Sequence, residues 1–428
     1  MNLLKEVLKH QVYPALGCTE PASVALCAAH AAKALGEPVR EAVFTLDAGT
    51  YKNGMGVSLP NTGGRKGNLL AGALGLLVAR PALRMEVLRA STPALVRRAR
   101  ALVSSGRVRM TVSPERRDSY VECVARGARR RVECVIAGSH TELSRLIRDD
   151  RVLVDGGVGP AAKPPLPFKE LLRKETLAGL LRQAERMDAE DARHLKRGVE
   201  MNLAAAEAGL RLRKVGHYLQ QLLKKGLLQD DVFSSTKILV ACATDARMDG
   251  APVPVMSSGE SGNQGIVAFL VPWNVGRHFG TPEKTVLKSI AFGHLVNAFV
   301  KAHTGGVAPI CGCAIAAGVG ASAAIVYQRK GRDLKAITLA VNNVVSDIGG
   351  MLCDGAKGGC ALKVVSSADT AIRSAYMGMH HFGITELEGF VGRRAEDTIR
   401  NLARISTVGM SKVDDTIVDI MLKKQHLG

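Results

Sequence analysis

Aromatic side chains are scarce in this chain. Phe, Trp and Tyr make up 4% of its 428 residues, with a single Trp. The core must therefore be filled by Ala, Val, Leu and Ile, with 45 glycines allowing close backbone approach. No Cys-x-x-Cys pair occurs, so the usual zinc and ferredoxin-type spacings are missing. No Gly-rich loop ends GK[ST] or carries the GxGxxG spacing, which removes the common nucleotide-binding motifs. The N-terminus, MNLLKEVLKH, has scattered charges and lacks the apolar stretch of a secretory signal. Residues 307–327 carry no charge, but they are rich in Ala and Gly and interrupted by Pro309. They read as a buried core helix rather than a membrane span.

What is abundant is positive charge. The formal net charge is +19, yet the excess is largely arginine spread over 80–151 and 170–230. No aromatic-interleaved RNA motif or basic repeat accompanies it. A solvated basic surface that attracts small anions is the better reading. Neither a nucleic-acid nor a membrane partner is expected, a homo-oligomer stays open, and nine cysteines without a disulfide pattern suit the reducing cytoplasm.

Residues 1–16 have the apolar spacing of a helix, with Leu3, Leu4, Val7 and Leu8 on one face. In GCTEP, Gly17 ends that pattern, Thr19 reads as an N-cap and Pro21 suits a first helical turn. Cys18 then sits at a helix N-terminus, where the dipole is expected to lower a thiol pKa and make it a base or nucleophile. Residues 41–60 read as strand, tight turn, strand, with Lys52-Asn53-Gly54-Met55-Gly56 as the turn. Its amides would suit a carboxylate, or the stretch is an ordinary hairpin. A helix is predicted over 68–78. Three alternating strands follow over 107–137, with Cys123 and Cys134 packed on them, and a helix is expected to begin at His140.

The Pro-rich segment at Val158–Phe168 is the best linker. The fold class is thus α+β: an N-terminal mixed α/β part over 1–160, then a mainly α-helical part over 161–428. The first helices have the option of packing on the second part. Within that second part, Asp245 and Arg247 precede the loop Ser257-Ser258-Gly259-Glu260-Ser261-Gly262-Asn263-Gln264. Ser258, Ser261, Asn263 and Gln264 make either an amino-acid cradle opening a helix or a polar turn.

Four more cysteines stand in Gly/Ala-rich surroundings: Cys311 and Cys313 in CGC, and Cys353 and Cys360 bracketing DGAKGG. Three such thiols suit one face of an iron–sulfur cube with one iron left open; the alternative is buried structural thiols.

GCTEP, KNGMG, DARM, SGNQG and MLCDGAKGGCALK, in this order, resemble the L-cysteine desulfidase family, also grouped as UPF0597. That family is related to the alpha domain of iron–sulfur L-serine dehydratases. The resemblance covers essentially the whole chain. It implies a [4Fe-4S] cluster on Cys311, Cys353 and Cys360, with Cys313 a departure from the pattern. It implies Cys18 as general base. Lys52, Asn53, Asp245, Arg247, Ser258, Ser261, Asn263 and Gln264 would hold an amino-acid substrate. The implied reaction is β-elimination of L-cysteine to pyruvate, ammonia and sulfide without pyridoxal phosphate. The alternatives are an L-serine or L-threonine dehydratase with the same parts, and a basic non-enzymatic binding protein with structural or zinc-bound cysteines.

Overall fold

The computed structural model describes residues 1–113, 115–116, 119–156 and 166–425. The chain opens with helix α1 (Leu3–Gln11), capped by the Asn2 side chain, which accepts from the Lys5 amide. A two-residue strand β1 (Pro14–Ala15) leads into helix α2 (Thr19–Leu35), closed by Gly36 in the left-handed conformation. The residue at its N-cap is Cys18, with Thr19 already inside the helix.

Strand β2 (Glu41–Asp47) runs directly into helix α3 (Ala48–Met55). The turn expected at Lys52–Gly56 is therefore the end of a helix. Two side chains cause this, one local and one from further along the chain. Asp47 caps the start, its Oδ1 accepting from the Thr50 amide at 2.9 Å. Asn68 covers the end, its Nδ2 donating to the carbonyls of Thr50 and Tyr51. Gly54 is needed there, because a Cβ would lie 1.7 Å from Asn68 Oδ1. Helices α4 (Asn68–Val78) and α5 (Pro93–Ser104) follow.

Strands β3 (Val108–Ser113), β4 (Tyr120–Arg126), β5 (Arg131–Ala137), β6 (Leu143–Arg148) and β7 (Arg151–Asp155) complete a six-stranded sheet of order β3-β2-β4-β5-β6-β7. Only the β2–β3 pair is parallel. The helix expected at His140 is instead a turn and strand β6. The Ser139 hydroxyl accepts from the Thr141 and Glu142 amides to make the turn, and burial alternates along β6.

The rest is helical: α6 (Pro167–Lys174), α7 (Leu177–Glu185), α8 (Ala189–Leu210), α9 (Val215–Lys224) and α10 (Val232–Met248). Strand β8 (Val255–Met256) pairs with β1. Then come α11 (Gly262–His278), α12 (Glu283–Thr304), α13 (Ile315–Lys330), α14 (Leu334–Ile348), α15 (Cys360–Met379), α16 (Ala395–Arg404) and α17 (Val413–Gln425). Among the described residues, no helix is long and apolar enough to cross a membrane. The predicted linker falls mostly outside the described residues.

Beside two small clusters, two large hydrophobic cores form among the described residues. One joins the sheet to α2 and α4; the other lies among the helices from α6 to α16. The chain ends cross over. Leu3, Leu4, Val7 and Leu8 of α1 enter the helical core, and Val418 of α17 enters the sheet core. This exchange, together with the β1–β8 pair, holds the start of α2 and all of α3 against the helical half.

Candidate functional site

A cavity of about 70 Å³ lies where the two halves meet. On one side are Cys18 and Glu20 at the start of α2, Asn53 on α3 and His140 from the β5–β6 turn. On the other are Arg247 from the last turn of α10, Ser261, Asn263 and Gln264 at the start of α11, and Lys301 from α12. Cys311, Cys313, Cys353 and Cys360 complete the wall.

The cysteine segments are tied together by backbone. The Cys311 amide donates to the Met351 carbonyl and the Cys353 amide to the Pro309 carbonyl, each at 2.7 Å, around an Ile310–Leu352 bridge. Gly355 has φ +94, and a Cβ there would lie 2.6 Å from the Lys52 carbonyl. Only glycine lets the 353–360 loop lie this close to α3. The Ala356 amide then donates to the Asn53 carbonyl at 3.3 Å.

All four thiols are free. A hydrogen bond from Cys313 is the main influence on Cys311 and holds its thiol down at about 6, while Cys313 is raised. Burial raises Cys353 and lifts Cys360 to about 11. Cations nearby include Lys301, Lys363 and Arg247 on the cavity wall, Lys357 in the 353–360 loop and, through the Cys353 carbonyl at 2.6 Å, Lys52. Among the described residues, no three His, Cys, Asp or Glu converge as a single metal ion requires. A cubane makes a different demand, since each thiolate binds its own iron and the sulfurs stand apart. Three or four free thiols on one cavity wall, beside two lysines, are a donor set that fits such a cluster.

Opposite them runs a buried chain of charge. Cys18 Sγ donates to Glu20 Oε2 at 2.9 Å, and Asn53 Nδ2 donates to Glu20 Oε1 at 2.8 Å. His140 lies between Glu20 (3.9 Å) and Glu260 (3.6 Å), and Lys169 pairs with Glu260 at 2.9 Å. Burial works against ionised Glu20 and Glu260. His140 with the Cys18 and Asn53 donors, and Lys169 with His140, outweigh it and hold the two carboxyls down at about 2. Burial likewise opposes a charged His140, but the two carboxylates prevail and raise its pKa.

The Cys18 thiol behaves opposite to the sequence expectation. Burial first, then the Glu20 carboxylate, push it well above its ordinary value. The helix dipole is present, but it is weaker than a buried carboxylate in contact with the sulfur.

Arg247 is 2% exposed and has no carboxylate partner among the described residues. Its Nη1 donates to Asn263 Oδ1 at 2.9 Å, while Nε and Nη2 are unpartnered. Gly262 makes room for it, since a Cβ there would lie 2.3 Å from Nε.

Of the residues singled out in the sequence, Cys18, Asn53, Arg247, Ser261, Asn263, Gln264 and the four cysteines meet at this cavity. Lys52, Asp245 and Ser258 do not line it. Lys52 is fully buried and bonded to Asp414 Oδ1 and the Cys353 carbonyl, both at 2.6 Å. Asp245 faces α9, accepts from the Gly216 amide, and is pushed up to about 6 by burial. Ser258 Oγ contacts His294 Nδ1 and accepts from Asn297 Nδ2. Sequence reasoning missed Glu20, His140, Glu260 and Lys301. Glu20 lies inside GCTEP and Glu260 inside the Ser257–Gln264 loop, so both were within reach; His140 and Lys301 carry no local signal.

The model of the serine dehydratase alpha chain family matches residues 84–419. A UPF0597 protein from Elusimicrobium minutum is 57% identical over 424 residues, covering 99% of this chain and 100% of its own. One from Geobacter sulfurreducens is 54% identical over 425 residues, covering 99% of each. One from Clostridioides difficile is 36% identical over 421 residues, covering 97% and 98%.

Proposed function

The chain belongs to the UPF0597 family, related to the serine dehydratase alpha chain, and from that premise we propose that it eliminates sulfide from L-cysteine. One water is consumed, and pyruvate, ammonia and hydrogen sulfide leave. The observation that carries the reading is Arg247. An uncompensated buried guanidinium costs several kcal/mol, and its two free donors form the fork that matches a carboxylate. An α-amino acid brings that carboxylate, and Arg247 opens into the same cavity as Cys18 and the four thiols.

Cys311, Cys353 and Cys360 would hold a [4Fe-4S] cluster, and Cys313 stands by as a neighbour that tunes Cys311. When bound, the cluster would supply an open iron as a Lewis acid. The chain's own residues do the rest. Arg247, held by Asn263 Oδ1, orients the carboxylate, and Gln264 Oε1, unpartnered among the described residues, accepts from the ammonium and directs it toward Glu20. Burial keeps water from the site. Cys18 takes the Cα proton. At rest it is a thiol donating to Glu20, so it must first pass that proton to the Glu20 carboxylate, and the substrate's positive ammonium favours the thiolate left behind. His140 and Glu260 fix Glu20 in place. Sulfide leaves, and the resulting aminoacrylate becomes an imine that hydrolyses.

The same residues suit L-serine, and the family match to serine dehydratase favours that second reading. The preference for cysteine rests on the motif resemblance. Anaerobically reconstituted protein offered each amino acid separately distinguishes them. Sulfide and pyruvate from cysteine, with little pyruvate from serine, support the proposal. Pyruvate from serine alone makes the protein a dehydratase. No product from either, with iron retained, contradicts the elimination. A soluble, cytoplasmic enzyme acting on a free amino acid is part of the same proposal.

A further inference from the structure

A second cavity, of about 630 Å³, lies behind the first and plays no part in the elimination. It is bounded by the start of α3, the end of α12, and the stretch from Ser406 to Asp414 that leads into α17. Gly306 and Val307 belong to the walls of both cavities.

Its charges do not balance. Two carboxylates face it, and both are engaged. Asp47 accepts from the Thr50 and Tyr120 amides at 2.9 and 2.8 Å, and Asp414 is held by Lys52 at 2.6 Å. The cations are less occupied. The Arg116 guanidinium lies 4.1 Å from the centre of the Tyr120 ring. Neither Arg116 nor Lys412 has a carboxylate partner among the described residues. Arg173 is engaged on two sides, its Nη1 with half-exposed Glu170 and its Nε donating to the Ala302 carbonyl, both at 2.7 Å. Two neutral polar groups complete the wall. Among the described residues the Ser406 hydroxyl is fully buried and unpartnered, and so is His303 Nε2. Burial, then Arg173 and Arg400, hold His303 down at about 4, so it adds a neutral ring nitrogen rather than another charge.

Arg116 and Lys412, neither with a carboxylate partner among the described residues, beside a roomy cavity with an idle buried hydroxyl in its wall, describe an anion site. We propose that this outer cavity binds a small oxyanion, a carboxylate or a phosphate, between Arg116 and Lys412 with the Ser406 hydroxyl donating. It is separate from the Arg247 subsite and does not depend on the elimination reading. Its occupant would sit against Gly306, whose carbonyl accepts from Lys301 of the inner cavity.

The test is calorimetric titration of the anaerobically reconstituted full chain with inorganic phosphate and, separately, with pyruvate. Saturable binding of one of them is expected. Lys412→Ala and Arg116→Ala should each weaken it by at least about tenfold, and Ser406→Ala should weaken it less. Lys412→Ala should turn over L-cysteine like the parent protein when no anion is added. Phosphate binding alone identifies a phosphate ligand, and pyruvate binding alone an organic acid. Absence of saturable binding of either, or binding that survives both charge removals, overturns the proposal. Pyruvate binding lost only in Arg247→Leu also overturns it, because that anion would be in the inner cavity.

Discussion

Two groups of cysteines in this molecule differ in everything except the side chain. Cys27, Cys123 and Cys134 lie where α2 crosses the sheet. They are fully buried among aliphatic residues, Cys123 and Cys134 face each other across β4 and β5, and Cys27 Sγ donates to the Cys134 and Val121 carbonyls. Burial raises Cys27 and Cys123 far above the ordinary thiol value. Those thiols fill space. Cys311, Cys313, Cys353 and Cys360 line a cavity with lysines nearby, and Cys311 is driven down toward the thiolate. A thiol's role is decided by whether it has a cavity, a cation and free neighbours of its own kind, not by its burial.

The first way to break this comparison is to remove the cavity thiols. Cys311→Ala, Cys353→Ala and Cys360→Ala should each lose the brown chromophore, the iron and all measurable turnover. Cys313→Ala should keep its iron. Retained iron in the Cys353 variant would put that thiol with the space-filling group.

Next is Cys18, which shares high burial with the sheet thiols but a cavity with the others. Cys18→Ala should retain iron and lose about 10²–10⁴ in sulfide release, the range for a removed acid–base group. Unchanged turnover would remove it from the mechanism. The Glu20 carboxylate raises the Cys18 pKa, so removing that charge must lower it. If thiolate is the active form, activity climbs with pH, and Glu20→Gln should move that climb to lower pH. A profile that stays put or moves upward would mean that Cys18 is not the group being titrated.

Glu260→Gln probes the charge chain behind it. It leaves Lys169 and His140 facing no carboxylate at that point, and should cost about 3–5 kcal/mol in denaturant unfolding. The smallest effect is expected in the sheet. Cys27→Ala should cost about 1–2 kcal/mol of stability and leave iron content and turnover alone. Any loss of iron there would collapse the distinction.

Much of the fold was legible in the sequence because its signals are local. Strands β2 to β5 show alternation, α4 shows a run of helix formers, and α1 shows its apolar face. Helix α3 was not legible. Its start has a local cap in Asp47, but its end depends on Asn68 reaching back from the next helix. The cavity cysteines stood out by their Gly-rich setting, and Arg247 by its motif. The charge chain behind Glu20 did not, because His140 and Glu260 are 120 residues apart and meet only when the two halves pack. Lys52 was read as a ligand from its Gly-rich neighbours. Its Nζ instead reaches Asp414, 362 residues away, at the start of the last helix. No spacing rule carries that pairing.

The most direct test of the central claim is the iron and acid-labile sulfide content of anaerobically reconstituted protein, beside Cys311→Ala and Cys27→Ala. The account predicts about four of each per chain in the parent and in the Cys27 variant, with loss in the Cys311 variant. Iron absent from the parent, or equal in all three, would contradict a cluster held by the cavity thiols.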